Sequence, residues 1–252
     1  MASKPSTTRS VRDQGVPDGL FRSCMDVIRT SHTKGQMLRT LFIMSGVFSD
    51  KLLYAELLTQ FYVTTEALGA LIDEASEFDL ETLEKYKGFH LDYLSDLSSL
   101  LGPSHLAQID SFKTPSSLKY IQALKENASH ESLLAGIIIL WGPMVIGGGA
   151  MLYPKVKKAY GGECVKTFEK FIGAGREQRR KEFIDYVDTV GSRLTPSQFS
   201  KVVDLCDTYM KMNNEMMIQV KRRPWWFKWG VGVVVSVAVG AVIHAYTKNP
   251  KK

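Results

Sequence analysis

The chain has 252 residues, 44% hydrophobic and 23% charged, with a formal net charge of +6. That length suits one sizeable core with appendages. From Lys221 onward there are seven Lys or Arg residues and no acidic one, which leaves 25 basic and 26 acidic residues in the first 220; a body so near neutrality lacks the basic stripe that nucleic acid requires.

Residues 1–16, MASKPSTTRSVRDQGV, are polar, with no apolar run that could serve as a secretory signal, and are expected to form a disordered lead. Residues 17–220 carry helical periodicity almost throughout. Near their start stands RTSHTKGQ (29–36), whose His32 by itself reads as a surface histidine near a helix end. Tyr54, Leu57, Leu58, Phe61 and Tyr62 recur at spacings of three and four, and Leu68 and Ile72 continue that face. Asp79 is placed to cap a segment running through Leu83 and Tyr86. Thr114-Pro115 and Thr195-Pro196 each offer a capping hydroxyl followed by proline at the first helical position, where its missing N–H costs nothing. REQRRK (176–181) has the composition of a solvated helix face. Val202, Leu205, Cys206, Tyr209, Met212, Met216 and Val220 make a last apolar stripe, with Asn213 as a polar residue beside it. No alternating run long enough for a sheet appears, and no repeat of 20 to 50 residues. The expectation is a single all-α domain of about seven to nine helices.

Between Leu133 and Tyr153 the run LLAGIIILWGPMVIGGGAMLY has no charged residue. By length alone it could cross a bilayer. Its five glycines and one proline would loosen a helix and strip it of side chains. Three readings stay open: a second membrane span, a buried helix with glycines for tight packing, or backbone bared for something flat.

After Val220 come KRRPWWFKW, GVGVVVSVAVGAVIHAY and TKNPKK. Trp229 to Tyr246 is 18 mostly apolar residues, about 27 Å of helix and close to the hydrocarbon thickness. Residues 221–228 supply Lys and Arg for anionic headgroups and tryptophans for the interface, and residues 247–252 form a basic tail. This predicts a C-terminal transmembrane helix, inserted after synthesis, that holds the domain on the cytosolic face of an organelle membrane. The endoplasmic reticulum is the first candidate and the mitochondrial outer membrane the second.

Cys24, Cys164 and Cys206 are odd in number and lack a CxxC pair, which fits structural thiols in a reducing compartment. The five histidines show no paired metal-ligand spacing. No GxSxG, phosphate loop or dinucleotide fingerprint is present, and the glycines at 147–149 follow no strand.

Several segments together resemble the haem oxygenases. RTSHTKGQ (29–36) is similar to that family's proximal helix, YAELLTQFYVTTEALGALI (54–72) to its next long helix, and DLSSLLGPSHLAQI (96–109) to its aspartate-to-GP turn. TPSSLKYIQALKE (114–126), GGAML (148–152), LTPSQ (194–198) and Asn213 follow in the family's order. The resemblance implies haem held between a proximal helix that supplies an imidazole to iron and a distal helix that kinks over the other face. It places His32 as the axial ligand, Gln36 where a glutamate usually partners the ring's second nitrogen, and Arg29 at a propionate contact. Arg179, Arg180 and Lys181 lie near the other propionate contacts, although alignment from Thr195 sets Glu182 and Tyr186 there. Gly148 and Gly149 become the residues that admit haem and oxygen, so the uncharged run reads as half core helix and half haem lid. Gln36 accepts a hydrogen bond but adds no negative charge, which predicts a less basic imidazole.

The distal side departs from the family. Met144 and Val145 stand where a glycine and a water-organising aspartate are usual, and Ile137, Ile139 and Trp141 replace other members of that network. Two expectations follow. One is a membrane-anchored enzyme that cleaves haem to biliverdin, iron and carbon monoxide with O2 and electrons from an NADPH-dependent reductase or another donor. The other is a non-catalytic haem-binding or haem-transfer protein of the same fold. A helical membrane adaptor that binds no haem is a third.

Overall fold

The computed structural model describes residues 19–44, 46–75, 88–169 and 171–222, and among them every regular element is helical. The lead at 1–16, the Asp79 cap and everything from Arg223 on, including the expected transmembrane helix, lie outside the described residues. In chain order the α-helices are α1 (Leu20–Val27), α2 (Arg29–Met44), α3 (Lys51–Glu74), α4 (Phe89–Leu101), α5 (His105–Phe112), α6 (Pro115–Glu126), α7 (His130–Gly136), α8 (Gly142–Ile146), α9 (Gly148–Tyr160), α10 (Lys166–Glu169), α11 (Arg176–Gly191) and α12 (Pro196–Ile218). These twelve described segments exceed the expected seven to nine because breaks inside long helical stretches were invisible as changes of period.

The caps explain where several helices begin. Asp50 accepts hydrogen bonds from the Leu52 and Leu53 amides at the start of α3. Thr114 and Thr195 each accept from the amide three residues on, Ser117 and Gln198, with proline at the first helical position, as the sequence predicts.

The central helix α3 is buried nearly all round between Leu53 and Thr65, polar residues included. That is affordable only where each polar group is bonded. Gln60 donates to the Phe112 and Glu56 carbonyls and accepts from the Thr114 amide and hydroxyl. Thr59 and Thr64 donate back to the carbonyls of Ala55 and Gln60, one turn earlier. A buried carboxylate on α4 does similar service, since Asp96 accepts from the amides of Lys166 and Thr167 at the start of α10.

The uncharged run resolves into α7, a wide π turn (Ile137–Trp141), α8 and α9. Every residue from Leu133 to Trp141 is buried inside protein, so its first half is core. Pro143 accounts for the π turn: its ring cannot donate and would press on the carbonyl four residues back, and a wider turn relieves that contact. Among the described residues no single helix is long and apolar enough to cross a membrane. The pair His130–Ile146 and Gly148–Tyr160 meets the length and composition requirement only when taken together, and it bends by 62° at Gly147.

Candidate functional site

Two elements frame the site. The first is α2, which packs on α12 and α1. Ser31 Oγ donates to Asp207 at 3.0 Å, and Asn214 Nδ2 donates to the Ser31 carbonyl at 2.7 Å. Gly35 lets the two helices close: a Cβ there would stand 2.5 Å from Asn214 Oδ1. The result seats α2 on its Ser31 and Gly35 side, both buried. His32 sits on the flank of that seat, half-buried. Burial, and secondarily the Arg39 charge one side over, lower its pKa below the ordinary imidazole value. His32 is therefore neutral at physiological pH, the form in which a ring nitrogen can donate a lone pair to a metal.

The second element is the bend between α8 and α9. Gly147 turns the chain with φ +145° and donates its amide to the Pro143 carbonyl at 3.3 Å. Gly148 is needed by the bend itself, because a Cβ there would meet the same Pro143 oxygen at 2.9 Å. Gly148 is exposed and Gly149 buried. On α9 Gly148 and Met151 are left open, with Met151 66% exposed. Neither α8 nor α9 is among the principal packing partners of α2; α8 packs instead on α11.

The remaining predicted residues fall as follows. Gln36 is exposed one turn beyond His32. Arg29 is exposed and ion-paired with Asp26. Arg179 spends its guanidinium on the carbonyls of Ile172 and Ala174 and so holds the loop before α11. Arg180 pairs with Glu177 at 3.6 Å, and Lys181 is exposed. Tyr186 is buried, and Glu182 accepts from Gln178. Asn213 is buried with its carbonyl oxygen unpaired, and it is the neighbouring Asn214 that reaches α2. Val145 points into the core.

One residue outside the named candidates also reaches the bend. Arg176, the first residue of α11, lays its guanidinium against the place where a Gly147 side chain would be, and its Nε is buried without a hydrogen-bond partner among the described residues. The signal was present, since Arg176 opens the REQRRK cluster. Only the fold shows that the first residue of that cluster, rather than its later ones, reaches the bend.

This arrangement of helices is found in solved structures. The chain matches haem oxygenase 2 of Chlamydomonas reinhardtii without haem, with a TM-score of 0.70, 21% identity and coverage of 81% of this chain and 98% of that one. The fold is that of the haem oxygenases. Haem oxygenase-1 of the cyanobacterium Synechocystis, in complex with haem, matches with a TM-score of 0.70, 13% identity and coverage of 88% and 100%. The haem oxygenase of Leptospira interrogans matches with a TM-score of 0.66, 15% identity and coverage of 79% and 98%. No protein-family profile matches the chain, and no curated protein matches it in sequence. The haem oxygenase-like fold is thus a divergent example of its kind.

Proposed function

We propose that this chain binds haem between α2 and the bend at Gly147, with His32 as the iron ligand. The observation that carries this reading is the place of His32, a half-buried imidazole on the flank of the α2–α12 contact in a haem oxygenase-like fold, where burial favours its neutral form. Among the described residues no group of three or more His, Cys, Asp or Glu could hold a metal. A lone imidazole suits a metal that brings its other donors with it, as a porphyrin does. On the opposite side the exposed Gly148 offers bare backbone, and Arg176 has a buried, unpartnered N–H beside it that suits a carboxylate.

Within this reading the chain is a membrane-anchored haem oxygenase. Haem supplies the iron at which O2 is reduced, with electrons from a reductase, and the products are biliverdin, iron and carbon monoxide. Residues of this chain orient the ring and exclude water around it, and residues 229–246 hold the domain to a membrane. Full-length protein titrated with haem is expected to give a Soret band that shifts in His32→Ala; an identical spectrum would remove His32 as ligand. Adding an NADPH-dependent reductase and O2 should then bleach the Soret band and release biliverdin.

A second reading, a haem carrier of the same fold, draws support from the distal segment. Val145 and Ile137–Trp141 are buried and apolar around the π turn, so side chains there cannot relay protons. Under that reading the Soret band persists under reductase and O2.

A further inference from the structure

The helix that bears His32 has a second face with no partner among the described residues. Met37, Leu41 and Met44 are 63%, 59% and 76% exposed, and their spacing of four and three puts them on one side of α2. The buried side of α2, with Ser31 and Gly35, is already taken by α12, and His32 occupies the flank between. Three long apolar side chains on one helix face are costly to leave in water.

What covers them is indicated by where the chain goes. Asp207 meets Ser31, and Asn214, two turns later on α12, bonds the Ser31 carbonyl and stands where a Gly35 side chain would be. The contact advances toward the C-terminal ends of both helices, so α2 and α12 finish on the same side of the domain. The start of α3 agrees: it follows α2 closely, and its Glu56 accepts hydrogen bonds from the amides of Lys221 at 2.7 Å and Arg222 at 3.1 Å. The last described residues are therefore tied down beside the α2–α3 junction. Thirty residues follow Arg222, with Trp225, Trp226 and Trp229 and then the apolar stretch to Tyr246. Ile218, 55% exposed in the last turn of α12, lies at the same end. The charge is also complementary to acidic headgroups, because α2 holds no acidic residue and exposes Lys34, and Lys221 is exposed where α12 gives out.

We infer that the Met37, Leu41 and Met44 face of α2 rests on an anionic lipid surface, as a second membrane contact beside the anchor. This deepens the reading of residues 229–246 as a span and rests on it. An amphipathic helix with basic residues on its polar side lies in the interface with its apolar face sunk about 5–10 Å. The domain is then held in one orientation over the bilayer, with the helix of His32 at the membrane surface.

The test uses the full-length chain. Cys24, Cys164 and Cys206 are all buried, so one introduced cysteine takes a thiol-reactive fluorophore selectively. Leu41→Cys reports on the proposed face and Ser236→Cys on the anchor. Leu91→Cys is the control, an exposed site on α4 next to His90, which lies against Gly69 far along α3 from Glu56. Each labelled protein is placed in phosphatidylcholine vesicles containing phosphatidylserine, with and without acyl-chain spin-labelled lipid. Loss of fluorescence at positions 41 and 236 but not at 91, with the loss at 41 reduced when phosphatidylserine is omitted, is the expected result. Quenching at 236 alone would overturn the α2 contact while leaving the anchor, and would assign that face to a protein partner such as a second copy. No quenching at either position would overturn both.

Discussion

Gly35 and Asn214 meet so closely that a methyl group on Gly35 would stand 2.5 Å from the Asn214 side-chain oxygen, while the amide nitrogen of the same Asn214 is bonded to the Ser31 carbonyl at 2.7 Å. The asparagine cannot swing aside without losing that bond in a buried place. Gly35→Ala gains helix propensity of about 1 kcal/mol, and against this stand overpacking of about 1–3 kcal/mol and the strained hydrogen bond. We expect a net loss of about 1–2 kcal/mol by denaturant unfolding. In the double variant with Asn214→Ala the two losses should be clearly less than additive; strict additivity would mean that the pair does not set the position of α2.

The glycines at the bend separate in the same way. A methyl group on Gly148 meets the Pro143 backbone oxygen at 2.9 Å, whereas on Gly149 it meets the Met144 terminal methyl at 3.2 Å and the Phe168 ring at 3.3 Å. Backbone cannot yield without opening the bend, but a methionine end can. Gly149→Ala should therefore be nearly neutral, with helix propensity offsetting a small repacking cost. Gly148→Ala should lose about 1–2 kcal/mol and weaken haem uptake as well. Thermal unfolding and a haem titration of both variants check this; equal behaviour would show that the Pro143 oxygen does not constrain the bend.

How legible all this was depended on the range of each interaction. The caps at Thr114 and Thr195 were readable because a hydroxyl, a proline and the amide three residues on lie within one turn. The stripes of α3 and α12 were readable as periodicity. The polar core of α3 was not, because Gln60 is satisfied by Phe112 and Thr114, more than fifty positions away. His32, Gly148 and Gly149 stand as candidates only through the ordered resemblance to a family, which no local rule supplies. Arg176 stands out only in the fold, because charge composition cannot say which residue of the basic run 176–181 meets a bend in another helix. Asn213 stands out in the sequence as the polar residue beside a stripe, and that its neighbour Asn214 is the one bonded to α2 is decided only by the packing of α12 on α2.

Asp96 offers a stability test far from the haem question. Its two oxygens accept from the amides of Lys166 and Thr167 at 2.8 and 3.0 Å. Asp96→Asn keeps one acceptor and strands one amide, at a cost of about 1–3 kcal/mol. Burial raises the Asp96 pKa, more than its hydrogen bonds to Thr167 and Lys166 lower it. A carboxyl whose folded pKa is raised contributes stability fully present below the unfolded value and lost as pH rises through the folded one. The asparagine does not titrate, so the difference between wild type and Asp96→Asn should be largest below the ordinary carboxyl range and shrink as pH rises through the raised value. A difference that grows with pH would place the proton on the wrong side of this balance.

His32 titrates in the opposite sense, with consequences for ligand binding. Its folded pKa lies below 6.5, first because of burial and then because of Arg39. A histidine buried as the neutral form contributes stability that is present above the unfolded pKa and is lost as pH falls from there through the folded value. Iron and proton compete for the same lone pair, so haem affinity should hold at pH 6.5, where an ordinary histidine is half protonated, and fall only at lower pH. Arg39→Gln removes the smaller of the two causes and keeps the larger. The folded pKa should rise part of the way toward 6.5, and the acid limb of haem binding should move up with it. Ring-proton NMR of the haem-free protein and haem titrations across pH 5 to 7 measure the two quantities independently. If the NMR value moves in Arg39→Gln and the binding profile does not, the imidazole that titrates is not the one that holds haem.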